Sequence, residues 1–212
     1  MRLYLCSYRI PVAAELYNLV GRKPEDISAA VIPNAKDYYA ERARNFKIKE
    51  TNQYLSNLGL KPQTVDLKAY EDSDKIKKEL NNYDLIWVSG GNTFCLMHQM
   101  RRSGFEEVIK ELLKEDRIVY AGESAGACVI GNSLRGLEDA DEPEFAEEII
   151  WEGLDILPNF ILPHIDNPMF ADDIKYAREV HKDDPQPVIE LSDSQALVIN
   201  GTSREIVEKT GP

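Results

Sequence analysis

Short apolar runs that stop at glycine or proline alternate along this chain with longer stretches of helical character. That alternation limits what the chain can fold into. Leu3 to Tyr8, Ser28 to Pro33, Thr64 to Leu67, Tyr83 to Ser89 and Arg117 to Tyr120 read as strands, the last stopped by Gly122. Between them, Glu15 to Val20, Asp37 to Leu58, Ser73 to Leu80 and Thr93 to Lys114 read as helices, the last interrupted near Gly104. Strands that are apolar along most of their length suit a sheet buried on both faces. Strands joined through helices pair in parallel. The expected fold class is therefore α/β, with a mostly parallel sheet and helices on both faces. After Gly131 the rhythm weakens. Glu138 to Glu148 holds seven acidic residues in eleven and reads as an exposed loop or helix. Leu157 to Pro163 and Pro187 to Leu191 read as further strands. Leu197 to Ile199, then Asn200-Gly201, then Glu205 to Glu208 reads as a hairpin. With no linker and no repeat, the 212 residues are expected to form a single domain over 1–212.

One segment carries chemistry. Val119-Tyr120-Ala121-Gly122-Glu123-Ser124-Ala125-Gly126-Ala127 has the form strand, then G-x-S-x-G, then helix start. A nucleophilic serine must project from a tight strand-to-helix turn, and its neighbours at −2 and +2 must be small because backbone segments meet there. The helix start favours developing negative charge, and the Ala125 N–H is placed to donate to an oxyanion. The plainer reading is a small-residue turn with a solvated serine.

A serine hydroxyl needs a base, and the chain offers three histidines. His98 sits in a helical stretch and reads as a surface or partly packed residue. His181 lies in a solvated charge run. His164 follows the strand-like Phe160-Ile161-Leu162-Pro163, at the kind of strand end where ligands sit in parallel sheets. It is the candidate base. The orienting carboxylate is expected between serine and histidine, where Glu138, Asp139, Asp141 and Glu142 all stand as candidates. Val88-Ser89-Gly90-Gly91-Asn92-Thr93 is a second small-residue turn. Gly90 or Gly91 can supply a second oxyanion donor, and Asn92 can cap the next helix.

Composition narrows the partners. Against 37 acidic residues stand 25 basic ones, a net charge of −12. That argues against nucleic acid, which needs clustered Lys and Arg. No apolar run is long enough to span a membrane, and no secretory signal is evident, so a cytoplasmic protein is expected. Three unpaired cysteines fit a reducing compartment. No metal or cofactor is expected.

Gly90-Gly91-Asn92-Thr93-Phe94, Gly122-Glu123-Ser124-Ala125-Gly126-Ala127 and Pro163-His164 together resemble the peptidase E family of serine peptidases, which includes the aspartyl dipeptidases and shares a superfamily with cyanophycinase. The resemblance implies a flavodoxin-like three-layer sandwich related to class I glutamine amidotransferases. It implies a triad of Ser124, His164 and an acid at Asp139, fifteen residues after the serine, with Glu138 open because relatives use Glu. It implies oxyanion donors at Gly90-Gly91 and Ala125, and substrate contacts from Asn92 and Arg178. The substrate would be a short peptide, Asp-Xaa in the aspartyl dipeptidases. Apart from the resemblance, a homodimer is the expected assembly. Two positions depart from the pattern. Ser89 replaces a third glycine. Glu123 replaces an aromatic residue and would disfavour an anionic substrate side chain. Three other readings compete. An esterase-type hydrolase lacks its HGGG-type motif here. A glutamine amidotransferase would need Cys at 124, and Cys128 lies one turn beyond. A catalytically silent binding module would keep the fold alone.

Overall fold

A computed structural model describes residues 1–209. Along the chain run β1 (Arg2–Cys6), α1 (Ala13–Val20), β2 (Ser28–Ile32), α2 (Glu41–Asn57), β3 (Lys61–Thr64), α3 (Ser73–Leu80), β4 (Leu85–Val88), α4 (Thr93–Arg102), α5 (Phe105–Lys114), β5 (Val119–Glu123) and α6 (Ala125–Cys128). After a long irregular segment come β6 (Ile161–Leu162), α7 (Ala171–Val180), β7 (Ile189–Glu190), β8 (Gln195–Asn200) and β9 (Ser203–Glu208). Seven strands form the main sheet in the order β3-β2-β4-β5-β1-β8-β9, and β6 pairs with β7 apart from it. The first five are mutually parallel, and β8 and β9 close one edge as an antiparallel hairpin.

Side chains alternate across each strand, so the sheet feeds two cores. Leu3, Leu5, Ala30, Ile32, Ile86, Val88 and Tyr120 pack on one face with residues of α3, α4 and α5. Tyr4, Cys6, Ala29, Val31, Leu85, Trp87 and Ala121 pack on the other with α1 and α2. This is the expected three-layer α/β sandwich. Each large apolar side chain buried in it contributes about 1.5–3 kcal/mol. No helix among the described residues is long and apolar enough to cross a membrane.

Several elements depart from the sequence expectation, β3, β5 and α7 among them. β3 is Lys61–Thr64, not Thr64 to Leu67. It is an edge strand with a largely exposed face, so it lacks an apolar signature, while buried Val65 and Leu67 lie just beyond it. β5 continues through Gly122 to Glu123. Helix α7 goes unanticipated because it buries only Ile174 and Ala177. Gly104 does break the helical stretch, in left-handed conformation with φ 74°.

The topology gathers the functional loops. Cys6 of β1 pairs with Glu123 of β5, and Val88 of β4 with Gly122, so the carboxyl ends of these three strands share one edge of the sheet. Because β8 is antiparallel to β1, its first residues lie there too, with Ala196 opposite Cys6.

Candidate active site

Ser124 stands between β5 and α6 with φ 51° and ψ −114°, a strained conformation for a residue with a side chain. Its N–H donates to the Cys6 carbonyl (3.0 Å), and its carbonyl accepts from Ala127 N–H (2.7 Å) and Cys128 N–H (2.9 Å). The flanking glycines are required by contact. A Cβ on Gly122 would lie 2.2 Å from the Gly126 carbonyl oxygen, and one on Gly126 would lie 2.3 Å from that of Val88. The bend therefore forms only with both side chains absent.

His164, at φ 63° after β6, brings Nε2 to 3.0 Å from Ser124 Oγ. Its Nδ1 lies 2.5 Å from Asp193 Oδ1. Ser7, fully buried just past β1, donates its hydroxyl to Asp193 Oδ1 (2.9 Å) and accepts the His164 backbone N–H (2.7 Å). Asn167 donates to Asp193 Oδ2 (3.1 Å), and Phe170 stacks on the imidazole at 4.8 Å between ring centroids. Burial alone would raise the Asp193 carboxyl. The bonds from His164, Ser7 and Asn167 outweigh it and hold the group below the ordinary Asp value.

The carboxylate beside the histidine is thus neither Asp139 nor Glu138. Glu138 accepts the Gly136 N–H (2.5 Å) and the Tyr176 hydroxyl (2.9 Å), and Asp139 is exposed. Sequence reasoning sought the acid between serine and histidine, but the antiparallel β8 carries a later one to the same edge. Ser192-Asp193-Ser194, a polar turn opening the anticipated hairpin, was the available signal. Ser7 carries no local signal: the run Leu3 to Tyr8 reads as one strand, whereas β1 stops at Cys6.

At the second turn, the Gly90 carbonyl accepts from Lys36 Nζ (2.9 Å), and Asn92 N–H donates to the Ala35 carbonyl (2.7 Å). Gly91 has φ 144°, and a Cβ there would stand 2.2 Å from the Ala35 oxygen. Among the described residues, no protein acceptor takes the N–H of Gly91 or of Ala125. Asn92 is buried as the cap of α4: its Oδ1 accepts Cys95 N–H (2.9 Å), and its Nδ2 donates to the Glu142 carbonyl (2.9 Å). It does not line the cleft, so the expected substrate contact from Asn92 is replaced by a structural one.

Arg178 is also placed elsewhere. Its guanidinium grips Glu190 through two bonds (2.7 and 2.8 Å), outside the cleft that holds Ser124. Arg178→Ala is therefore expected to leave kcat/KM within about threefold of wild type on both Asp-Xaa and neutral dipeptides. A selective loss on Asp-Xaa would return Arg178 to the site. His98 and His181 are both buried. His181 bridges Asp184 (2.7 Å) and the Arg135 carbonyl (2.6 Å) rather than lying in a solvated run.

The cleft has a volume of about 620 Å³. Its lining includes Tyr8, Arg9, Lys36, Lys47 and Glu123, and also Leu137, Asp141, Phe170 and Ile174. Glu123, 7% exposed, is raised by burial and drawn back by Arg9, whose Nη1 is 3.8 Å away, and by Lys36. Its charge is thus partly matched within the wall. Asp141 accepts the backbone N–H of Thr93 (2.9 Å) and its hydroxyl (2.5 Å). Burial nevertheless pushes it up to about 6. A carboxyl raised in the folded state binds a proton there that the unfolded chain has released. Stability from this group therefore falls as pH rises from about 4 to about 6. On going from the acid to the neutral end of that window, the urea midpoint should rise further, or fall less, in Asp141→Asn than in wild type. Equal changes would contradict the assignment.

A family model described as Peptidase family S51 matches residues 8–207. The uncharacterized peptidase Lin0382 of Listeria innocua is 32% identical over 126 residues, which are 59% of this chain and 59% of that one, so the match spans less than two thirds of that relative. The uncharacterized peptidase Lmo0363 of Listeria monocytogenes is 27% identical over 193 residues, covering 91% of this chain and 88% of that one. A crystal structure of a Listeria monocytogenes EGD-e protein, provisionally named a peptidase E, shares the fold with a TM-score of 0.83, 24% identity and 98% of each chain covered. With 200 of its residues inside the family model, this chain belongs to peptidase family S51, the peptidase E family.

Proposed function

We propose that this chain is a serine peptidase that hydrolyses short peptides through an acyl-enzyme, with Ser124 as nucleophile, His164 as proton carrier and Asp193 as the supporting carboxylate. The observation that carries the reading is the continuous contact from Ser124 Oγ to His164 Nε2 (3.0 Å) and from His164 Nδ1 to Asp193 (2.5 Å). A hydroxyl becomes a competent nucleophile when a base takes its proton as it attacks. Asp193 accepts at Nδ1, which leaves Nε2 free to receive that proton, and its charge stabilises the imidazolium that forms. The oxyanion is held by the N–H groups of Ala125 and of the Gly90-Gly91 turn. His164 then protonates the leaving amine, and water resolves the ester with the same histidine as base.

The cleft admits a few residues of extended chain and no folded protein. Its cations are Arg9, Lys36 and Lys47, so any preference for acidic substrates falls to them and not to Arg178. A dipeptide panel that compares Asp-Xaa with neutral Xaa-Xaa reads this directly. The reaction class is tested with a fluorophosphonate probe. Wild type should be labelled and Ser124→Ala should not. A folded wild type that takes no label would leave only the silent binding module.

A further inference from the structure

The peptide joining Gly90 to Gly91 is held from one side by a lysine that the mechanism above does not use. Lys36 follows β2 in a short turn, Asn34–Lys36, and its side chain is 8% exposed. Its Nζ donates to the Gly90 carbonyl at 2.9 Å, while the preceding Ala35 carbonyl accepts the Asn92 N–H at 2.7 Å. The two ends of Gly90-Gly91-Asn92 are thus pinned to adjacent residues, one to Lys36 and the other to Ala35. A trans peptide points its C=O and N–H in opposite directions, and no cis bond occurs among the described residues. Fixing the Gly90 oxygen on Lys36 therefore fixes the Gly91 N–H on the opposite side. Among the described residues neither the Gly90 N–H nor the Gly91 N–H has a protein acceptor, and the Lys36 bond sets the direction of the Gly91 one. Gly90 also lies against the nucleophile: a Cβ placed on it would stand 3.0 Å from Ser124 Cβ.

We infer that Lys36 is a positioning residue for the reaction: its ammonium holds the Gly90 carbonyl so that the Gly91 N–H faces the developing oxyanion at Ser124. The inference rests on the serine-peptidase reading and adds to it the part that sets one oxyanion donor. A lysine so buried is costly unless it is paired. The groups facing it are Gly90 O, Glu123 at the end of β5, Arg9 beyond β1, and Arg44 and Lys47 of α2. Only Glu123 among the charged ones is of opposite sign, and burial together with the three cations draws Lys36 down to about 8. Above that pH the charge-assisted bond to Gly90 weakens to an ordinary one, and the hold on the turn weakens with it.

Fluorophosphonate labelling tests this without a known substrate, because the phosphoryl oxygen of the probe takes the oxyanion position. Lys36→Met keeps the aliphatic stem and removes the donor. It should slow labelling of Ser124 by about 10- to 100-fold, less than deleting an oxyanion donor outright, with the melting temperature near wild type. Lys36→Arg keeps a charge across the whole range. It should label within about fivefold of wild type at pH 7 and lose the decline that wild type shows above about pH 8. A folded Lys36→Met that labels within about threefold of wild type overturns the inference. If Lys36→Met does not fold, the Arg variant decides, and an alkaline decline in it identical to wild type overturns the inference. Failure of wild type to label at all would instead defeat the serine-peptidase reading.

Discussion

Ser124→Ala is expected to reduce peptide turnover by about 10⁴-fold or more while leaving the fold intact. The expectation follows from where the side chain stands. The strained backbone at φ 51° is held by the Cys6 carbonyl and by the helix start, and none of those bonds uses Oγ. Alanine keeps them all and relieves no clash, so stability should change little. What disappears is the hydroxyl that faces His164 Nε2 and would form the acyl bond. Kinetics on the best dipeptide of the panel, with circular dichroism beside them, check this. A folded alanine variant with turnover within about tenfold of wild type would mean that Ser124 is not the nucleophile.

The second large effect separates three carboxylates. Asp193→Asn should lower kcat by about 10³- to 10⁴-fold, because an amide in that place no longer fixes the tautomer or stabilises the imidazolium. Asp139→Asn and Glu138→Gln should each stay within about threefold, since neither reaches His164. The Asp193 carboxyl is held below its usual value by its bonds, so its contribution to stability is present above the ordinary Asp range and is lost as the pH falls through the lowered value. The acid limb of wild-type unfolding should therefore be less steep in Asp193→Asn. A kcat for Asp139→Asn as low as that of Asp193→Asn would return the acid to the sequence expectation.

The contrast between these carboxylates shows what was legible in the sequence. The central strands were legible because burial on both faces writes itself as an apolar run, as in Leu85 to Val88. The serine turn was legible because close backbone approach excludes every side chain at 122 and 126, and a pair of glycines around a serine is a local signature of that. His164 was legible from its place at the end of an apolar run. Asp193 was not, because its position depends on β8 running antiparallel to β1, a pairing between residues nearly 200 apart in the chain that leaves no local mark. Edge strand β3, exposed and polar, and helix α7, with two buried residues, were hidden for a related reason: they bury too little to pattern the sequence. Lys36 shows the same limit. Nothing near it in sequence distinguishes it from other lysines until β2 and β4 are paired and its ammonium meets the Gly90 carbonyl.

The contact between His164 and Asp193 can be observed without turnover, by proton nuclear magnetic resonance of the imidazole N–H. At 2.5 Å the bridging proton should be strongly deshielded in wild type. Its resonance should vanish in His164→Ala and in Asp193→Asn and survive in Asp139→Asn and Glu138→Gln. Survival of the signal in Asp193→Asn, or its loss in Asp139→Asn, would contradict the arrangement on which the proposed mechanism depends.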